Sequence, residues 1–202
     1  MRDLVLVQIG EIRCPAASAI FQGIKEALEA HLPVKCSILE ERAELPSRAW
    51  DGQRGQYRVQ EFLRLLRSLN PTQRSISGSG SGRERGEPAL ALVLGITDVD
   101  IYSAGLNFVF GSASTSKGVA VISLYRLNLE SYGHRLDLDD EGLLLRRARK
   151  EAVHEVGHLL GLGHCPDPGC VMSFSNSIMD VDRKGEELCG RCRRLIRRLS
   201  VV

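Results

Sequence analysis

His154-Glu155-Val156-Gly157-His158-Leu159-Leu160-Gly161-Leu162-Gly163-His164 is the stretch on which the reading of this 202-residue chain turns. In an α-helix, residues four apart share a face, so His154 and His158 can offer two imidazole nitrogens to one tetrahedral zinc, with Glu155 beside them. From the chain's own composition, the short spacing HExxH arises by chance in roughly one such chain in 100, and the long form HExxHxxGxxH in about two in 100,000. Gly161 stands where a helix stops on a residue at positive φ, which glycine adopts without steric penalty. The turn would bring His164 to the metal as third ligand and leave one zinc position open, as in catalytic sites. Glu155 is then placed to act as general base and acid in hydrolysis of a carbonyl compound. A surface helix with stray histidines is the bland alternative. Against it, three of the chain's five histidines fall at ligand spacing within eleven residues.

Composition sets the frame. A length of 202 residues and 43% hydrophobic content suit one compact domain with a sizeable core. A net charge of +2 is too small to argue by itself for a nucleic-acid or membrane partner. No apolar run approaches membrane-spanning length, and the opening apolar run has no signal-peptide pattern, so a cytoplasmic location is expected. Four of the six cysteines, Cys165, Cys170, Cys189 and Cys192, stand as C-x4-C and C-x2-C after the histidine motif. In an intracellular chain this spacing reads as zinc in preference to two disulfides.

The third histidine followed at once by Cys165, then Cys170, Met172 and Cys189-Gly190-Arg191-Cys192, resembles the archaemetzincins, a family of metzincin zinc peptidases. Weaker resemblance extends to residues 54–57, 97–102 and 107–124. The resemblance implies that Cys165, Cys170, Cys189 and Cys192 hold a second, structural zinc, and that Met172 forms the methionine turn beneath the catalytic metal. It also implies that residues 107–112 form an antiparallel edge strand able to pair with an extended peptide substrate. An ordinary hairpin is the alternative there.

Along the rest of the chain, residues 4–9, 34–39, 89–96, 107–110 and 118–124 read as strands, and 16–28, 57–69, 141–162 and 184–199 as helices. Strand 4–9, its helix and strand 34–39 would form a parallel β-α-β unit, with Cys36 pointing into the core beside Val34 and Ile38. Residues 40–56 read as a loop, and 75–88, with a Gly-Ser repeat at the centre, as a surface linker. Asp98 and Asp100 read as exposed loop or capping carboxylates. Arg146, Arg147, Arg149 and Lys150 read as a solvated basic face. Leu188, Cys192, Leu195 and Leu199 form the expected buried side of the last helix, with Arg191, Arg193, Arg194, Arg197 and Arg198 facing outward. His31 and His134 stand apart from any ligand pattern.

These readings predict an α/β (α+β) zincin-like domain spanning residues 1–202. It has a mixed, twisted sheet of about five strands with long helices, and a small four-cysteine zinc subdomain from 164 onward that clamps onto the upper part, 1–163. The expected function is zinc-dependent hydrolysis of peptide bonds in a peptide or protein substrate, with two zinc ions per chain. A latent, non-catalytic zinc protein is the first competitor, and an arginine-rich nucleic-acid binder the second.

Overall fold

The computed structural model describes residues 1–13, 17–70, 91–133 and 140–199. The linker 75–88, the first residues of the strand expected at 89–96, Pro15, Ala16 and His134 lie outside the described residues.

The apolar run near the start forms β1 (Arg2–Ile9). Leu4 and Leu6 face one side of the sheet while Val7 and Ile9 face the other, and all four are buried. Such a strand needs cover on both faces. Helices α1 (Ala17–His31) and α3 (Asp140–Leu159) cover the first side, and α2 (Val59–Leu69) the second. The sheet is completed by β2 (Val34–Ile38), β5 (Leu92–Thr97), β7 (Gly111–Ser114) and β8 (Val119–Ser123), in the order β2-β1-β5-β8-β7. All pairings are parallel except β7 with β8, which is antiparallel at the edge. The five-strand mixed sheet expected from the sequence is therefore present. Val34 and Cys36 are buried as expected, whereas Ile38, at the outer end of β2, is 39% exposed.

Several local readings change. Residues 40–56 are more than a loop, because β3 (Trp50–Asp51) and β4 (Gln56–Arg58) pair with each other, and β4 pairs in parallel with β6 (Ile101–Tyr102). Tyr57 thus belongs to a strand, and α2 begins only at Val59. Such two- and three-residue strands are too short to show a period in the sequence.

The edge strand lies at Gly111–Ser114 instead of 107–112. Arg54 Nη2 donates to the carbonyls of Leu106 and Asn107, and Gln56 Nε2 donates to Asn107 O and to the Asp100 carboxylate. Val109 N donates to Ile101 O in β6, so the chain stays with the small sheet up to residue 109, and pairing to β8 begins with the bond from Ser123 N to Phe110 O and the Gly111–Ile122 register. Asp100 is accordingly buried, and it also accepts from Arg126 Nε and Nη2.

The basic face of α3 is also divided. Arg146 is exposed, but Arg147 and Lys150 are buried. Arg147 makes a forked pair with Asp182 at 2.7 Å per bond and donates to Leu127 O, while Lys150 Nζ donates to Val181 O and Asp182 O. Apart from Leu127 O, their acceptors sit in a short helix the sequence reading did not separate, α4 (Ile178–Arg183), closed at its start by a Ser177–Asp180 capping box. The last helix, α5 (Gly190–Leu199), is correspondingly shorter than 184–199. Its buried side carries Cys192 and Ile196, whereas Leu195 and Leu199 are exposed together with its arginines.

Replacing Arg147 by Met removes a charge-assisted fork and leaves Asp182 without its partner, although Asp182 is 40% exposed and water compensates in part. Arg147→Met is expected to cost about 2 kcal/mol, a fall of roughly 4–8 °C in melting temperature for a chain of this size. Arg146→Met should change stability by less than about 0.5 kcal/mol. Equal melting temperatures for the two variants would return Arg147 to the solvated face.

Candidate active site

Helix α3 ends as its glycines dictate. Gly161 has φ of 92°, Gly161 N donates to His158 O, and Leu162 N donates to Gly157 O. These are the paired bonds of a Schellman ending, which reverses the chain within two residues. The turn also fixes a histidine, since His158 Nδ1 lies 2.8 Å from Leu162 O. His154 Nδ1 lies 2.9 Å from Val171 O in the next segment. A carbonyl only accepts, so each Nδ1 carries the proton, and in a neutral ring Nε2 is left with a bare lone pair.

The two Nε2 atoms face each other at 3.1 Å. His164 joins them: the potential ligand atoms of His154, His158 and His164 all lie within 4.8 Å of one another. Two lone pairs at this distance repel unless a cation lies between them, and two nitrogens on tetrahedral zinc stand about 3.3 Å apart for Zn–N bonds of about 2.0 Å. The donor set fits zinc. Burial, with help from the Lys184 charge, pulls His154 down to about 3, which keeps the ring neutral and ready to ligate. His164 is lowered by burial and by His158.

A second cluster follows. The sulfurs of Cys165, Cys170, Cys189 and Cys192 also lie within 4.8 Å of one another, and all four cysteines are free. Cys165 Sγ and Cys189 Sγ are 3.7 Å apart, far from disulfide contact and close to the roughly 3.8 Å between thiolates sharing one zinc. Cys189 directly precedes α5, and the backbone N–H of Cys192 holds its thiol down at about 7. Cys36, by contrast, lies in the core, where burial pushes its thiol up to about 12.

Met172 ties the clusters together. Its carbonyl accepts from Cys165 N. Its sulfur lies where a side chain on Gly157 would stand, 2.5 Å from the position of a Cβ. Only glycine between the two helical histidines leaves that room. A cleft of about 480 Å³ opens beside the three histidines, lined on one side by residues 105–113 and on the other by Glu151, Glu155 and Phe174. Glu155 is buried, and burial raises its pKa well above the ordinary carboxylate range, with Glu151 adding to the rise and Lys184 opposing it. Phe174, 59% exposed, sets its ring edge against His164 at 5.1 Å. A larger groove of about 670 Å³ lies between the end of α1 and α5, lined by none of the seven cluster residues.

Every residue singled out in the sequence for the two metal sites thus falls into one of two clusters. Sequence reasoning passed over Glu151, at the cleft wall, and Lys184, which is buried behind it at 2.7 Å. The available signal for Glu151 was its place one helical turn before Glu155, on the same face.

Comparison with known proteins bears on the site as a whole. The model of peptidase family M54 matches residues 17–198. The archaemetzincin of Pyrococcus furiosus is 42% identical over 206 residues, spanning 99% of this chain and 96% of that protein. Among solved structures, the archaemetzincin of Methanopyrus kandleri superposes with a TM-score of 0.77 at 38% identity, covering 100% of this chain and 96% of that one. A zinc-dependent peptidase from Methanocorpusculum labreanum superposes with a TM-score of 0.78 at 30% identity, covering 95% and 99%.

Gly111, first residue of the edge strand, packs directly on Glu155: an added Cβ would lie 2.7 Å from Glu155 Cγ and 2.8 Å from Oε1. Gly111→Ala is expected to push that side chain aside, lowering kcat for peptide hydrolysis by about tenfold or more with metal content unchanged. Native turnover in this variant would show that Glu155 tolerates displacement.

Proposed function

The chain belongs to peptidase family M54 and is a zinc metallopeptidase, and from that premise we propose that His154, His158 and His164 hold a catalytic zinc while Cys165, Cys170, Cys189 and Cys192 hold a structural one. The observation that carries this reading is the 3.1 Å approach of two imidazole nitrogens whose partner nitrogens are tied to backbone carbonyls. A bound zinc would polarise the substrate carbonyl and make a water acidic near pH 7.

The chain's own residues do the rest. Glu155 accepts a proton from the attacking water as the new C–O bond forms, then returns it to the amine nitrogen as the C–N bond breaks. Its buried, raised carboxyl suits a base that must also give the proton back. The exposed edge of β7 aligns an extended peptide by main-chain pairing, which lays the scissile bond across the three histidines. Met172 supports the site from beneath, through its sulfur against Gly157 and its carbonyl to Cys165. The cysteine cluster anchors the turn after His164 to α5, so residues 164–199 act as a clamped lower part of one domain. No helix among the described residues is long and apolar enough to cross a membrane.

Metal analysis tests the ligand sets: two zinc ions per chain are expected, one after Cys189→Ser, and one after His158→Ala. Glu155→Ala should retain both ions while peptide hydrolysis falls by roughly 10²–10⁴-fold. Full turnover by Glu155→Ala would remove the glutamate from its role, and a single zinc in the native chain would remove one of the two sites.

A further inference from the structure

Buried polar atoms without a hydrogen-bond partner are costly and therefore rare. Among the described residues four side-chain atoms are in that state: Thr97 Oγ1, Glu151 Oε1, Ser175 Oγ and Lys184 Nζ. Glu151 and Ser175 both line the cleft, and Lys184 is the ion-pair partner of Glu151. Two of the four orphans therefore belong to residues of the cleft wall, and a third lies directly behind one of them.

The pair itself is under-used. Glu151 and Lys184 side chains are 4% and 1% exposed and approach to 2.7 Å, in an alignment that completes no hydrogen bond. Lys184 Nζ, an ammonium with three donors, and Glu151 Oε1 have, apart from one another, nothing to bond. An apolar pair of similar volume would be at least as stable at such a place. Lys184 is also held there firmly. Its backbone N–H bonds Asp180 O at the end of α4, which is latched to α3 through Arg147 and Lys150.

Position tells what the pair meets. Glu151 precedes Glu155 by four residues, about 6 Å along the same face of α3. Residues of an extended peptide follow one another at about 3.4 Å, so two residues span about the same distance. We propose that Glu151, backed by Lys184, forms the base of a side-chain subsite beside the scissile bond and selects substrates carrying a neutral hydrogen-bonding group there, a hydroxyl or a side-chain amide. The pair has no net charge, so a charged guest would bring an unpaired charge into a buried site. An apolar guest would bring no donor to the Glu151 carboxylate at the cleft wall, the situation in which enzymes discriminate most strongly.

The inference rests on the proposed catalytic site, and one experiment separates the two. The zinc-loaded full chain is given a proteome-derived peptide mixture, and the residues flanking each cut are read. The native protein is expected to favour Ser, Thr, Asn or Gln over Leu and Phe by about tenfold in kcat/KM at one position within two residues of the cut. The double variant Glu151→Leu/Lys184→Met should move that preference to Leu and Met at the same position and leave the other positions unchanged. Glu151→Gln leaves the Lys184 charge uncompensated and should raise cleavage beside Asp and Glu; together with the native profile it decides the matter if the double variant does not fold. No preference for Ser, Thr, Asn or Gln at any of the four positions within two residues of the cut, or variant profiles identical to the native one, overturns the subsite alone. If the native chain with both zinc ions bound cuts no peptide, the catalytic assignment falls and takes the subsite with it.

Discussion

Two proton-free nitrogens held face to face organise this molecule. The carbonyls of Leu162 and Val171 take the Nδ1 protons of His158 and His154, so neither ring can relieve the 3.1 Å approach of the Nε2 atoms by turning over. Each carbonyl has a structural origin. One comes from the glycine-ended helix, the other from the segment leading into Met172, whose carbonyl is bonded to Cys165. The geometry of the site is thus set by backbone conformation in two separate stretches, and the side chains follow.

A second constraint runs through the lower part of the chain. Arg147, Lys150 and Glu151 occupy one side of α3 just before the histidines, and all three reach into residues 181–184. Burying two cations and a carboxylate on one helix is tolerable because nearly every donor finds a carbonyl or carboxylate on a single short element. The exception is the Glu151–Lys184 pair, whose carboxylate lies at the cleft wall. On the opposite wall, Arg54 and Gln56 hold the carbonyls of residues 106 and 107 and Val109 N bonds Ile101 O, which keeps 106–109 with the small sheet as a rim until the edge strand begins at Gly111.

Much of the site was legible in the sequence because it is local. His154, Glu155 and His158 lie on one helix, Gly161 ends it, and His164 and Cys165 follow within one turn of chain, so spacing alone carries the geometry. The strands β1, β5 and β8 were legible for a related reason: strands covered on both faces are continuously apolar. The small sheet β3-β4-β6 was not. Its strands have two or three residues each, and its identity rests on Asp100, Gln56 and Arg54 meeting across some fifty positions.

The sequence by itself determined which residues could bind metal, that the histidine-bearing helix stops near Gly161 (it ends at Leu159, three residues short of the expected 162), and that parallel strands lie beneath it, since the histidine spacing, the glycine stop, each cysteine pair and each apolar run depend on neighbours within about ten positions. Only the tertiary structure decided that Arg147 and Lys150 are buried, that pairing at the edge begins at Gly111, and that Lys184 stands behind Glu151. A charged residue reads as solvated until the partner that takes its charge is brought beside it. Here those partners lie more than thirty residues away along the chain, beyond the reach of any local pattern.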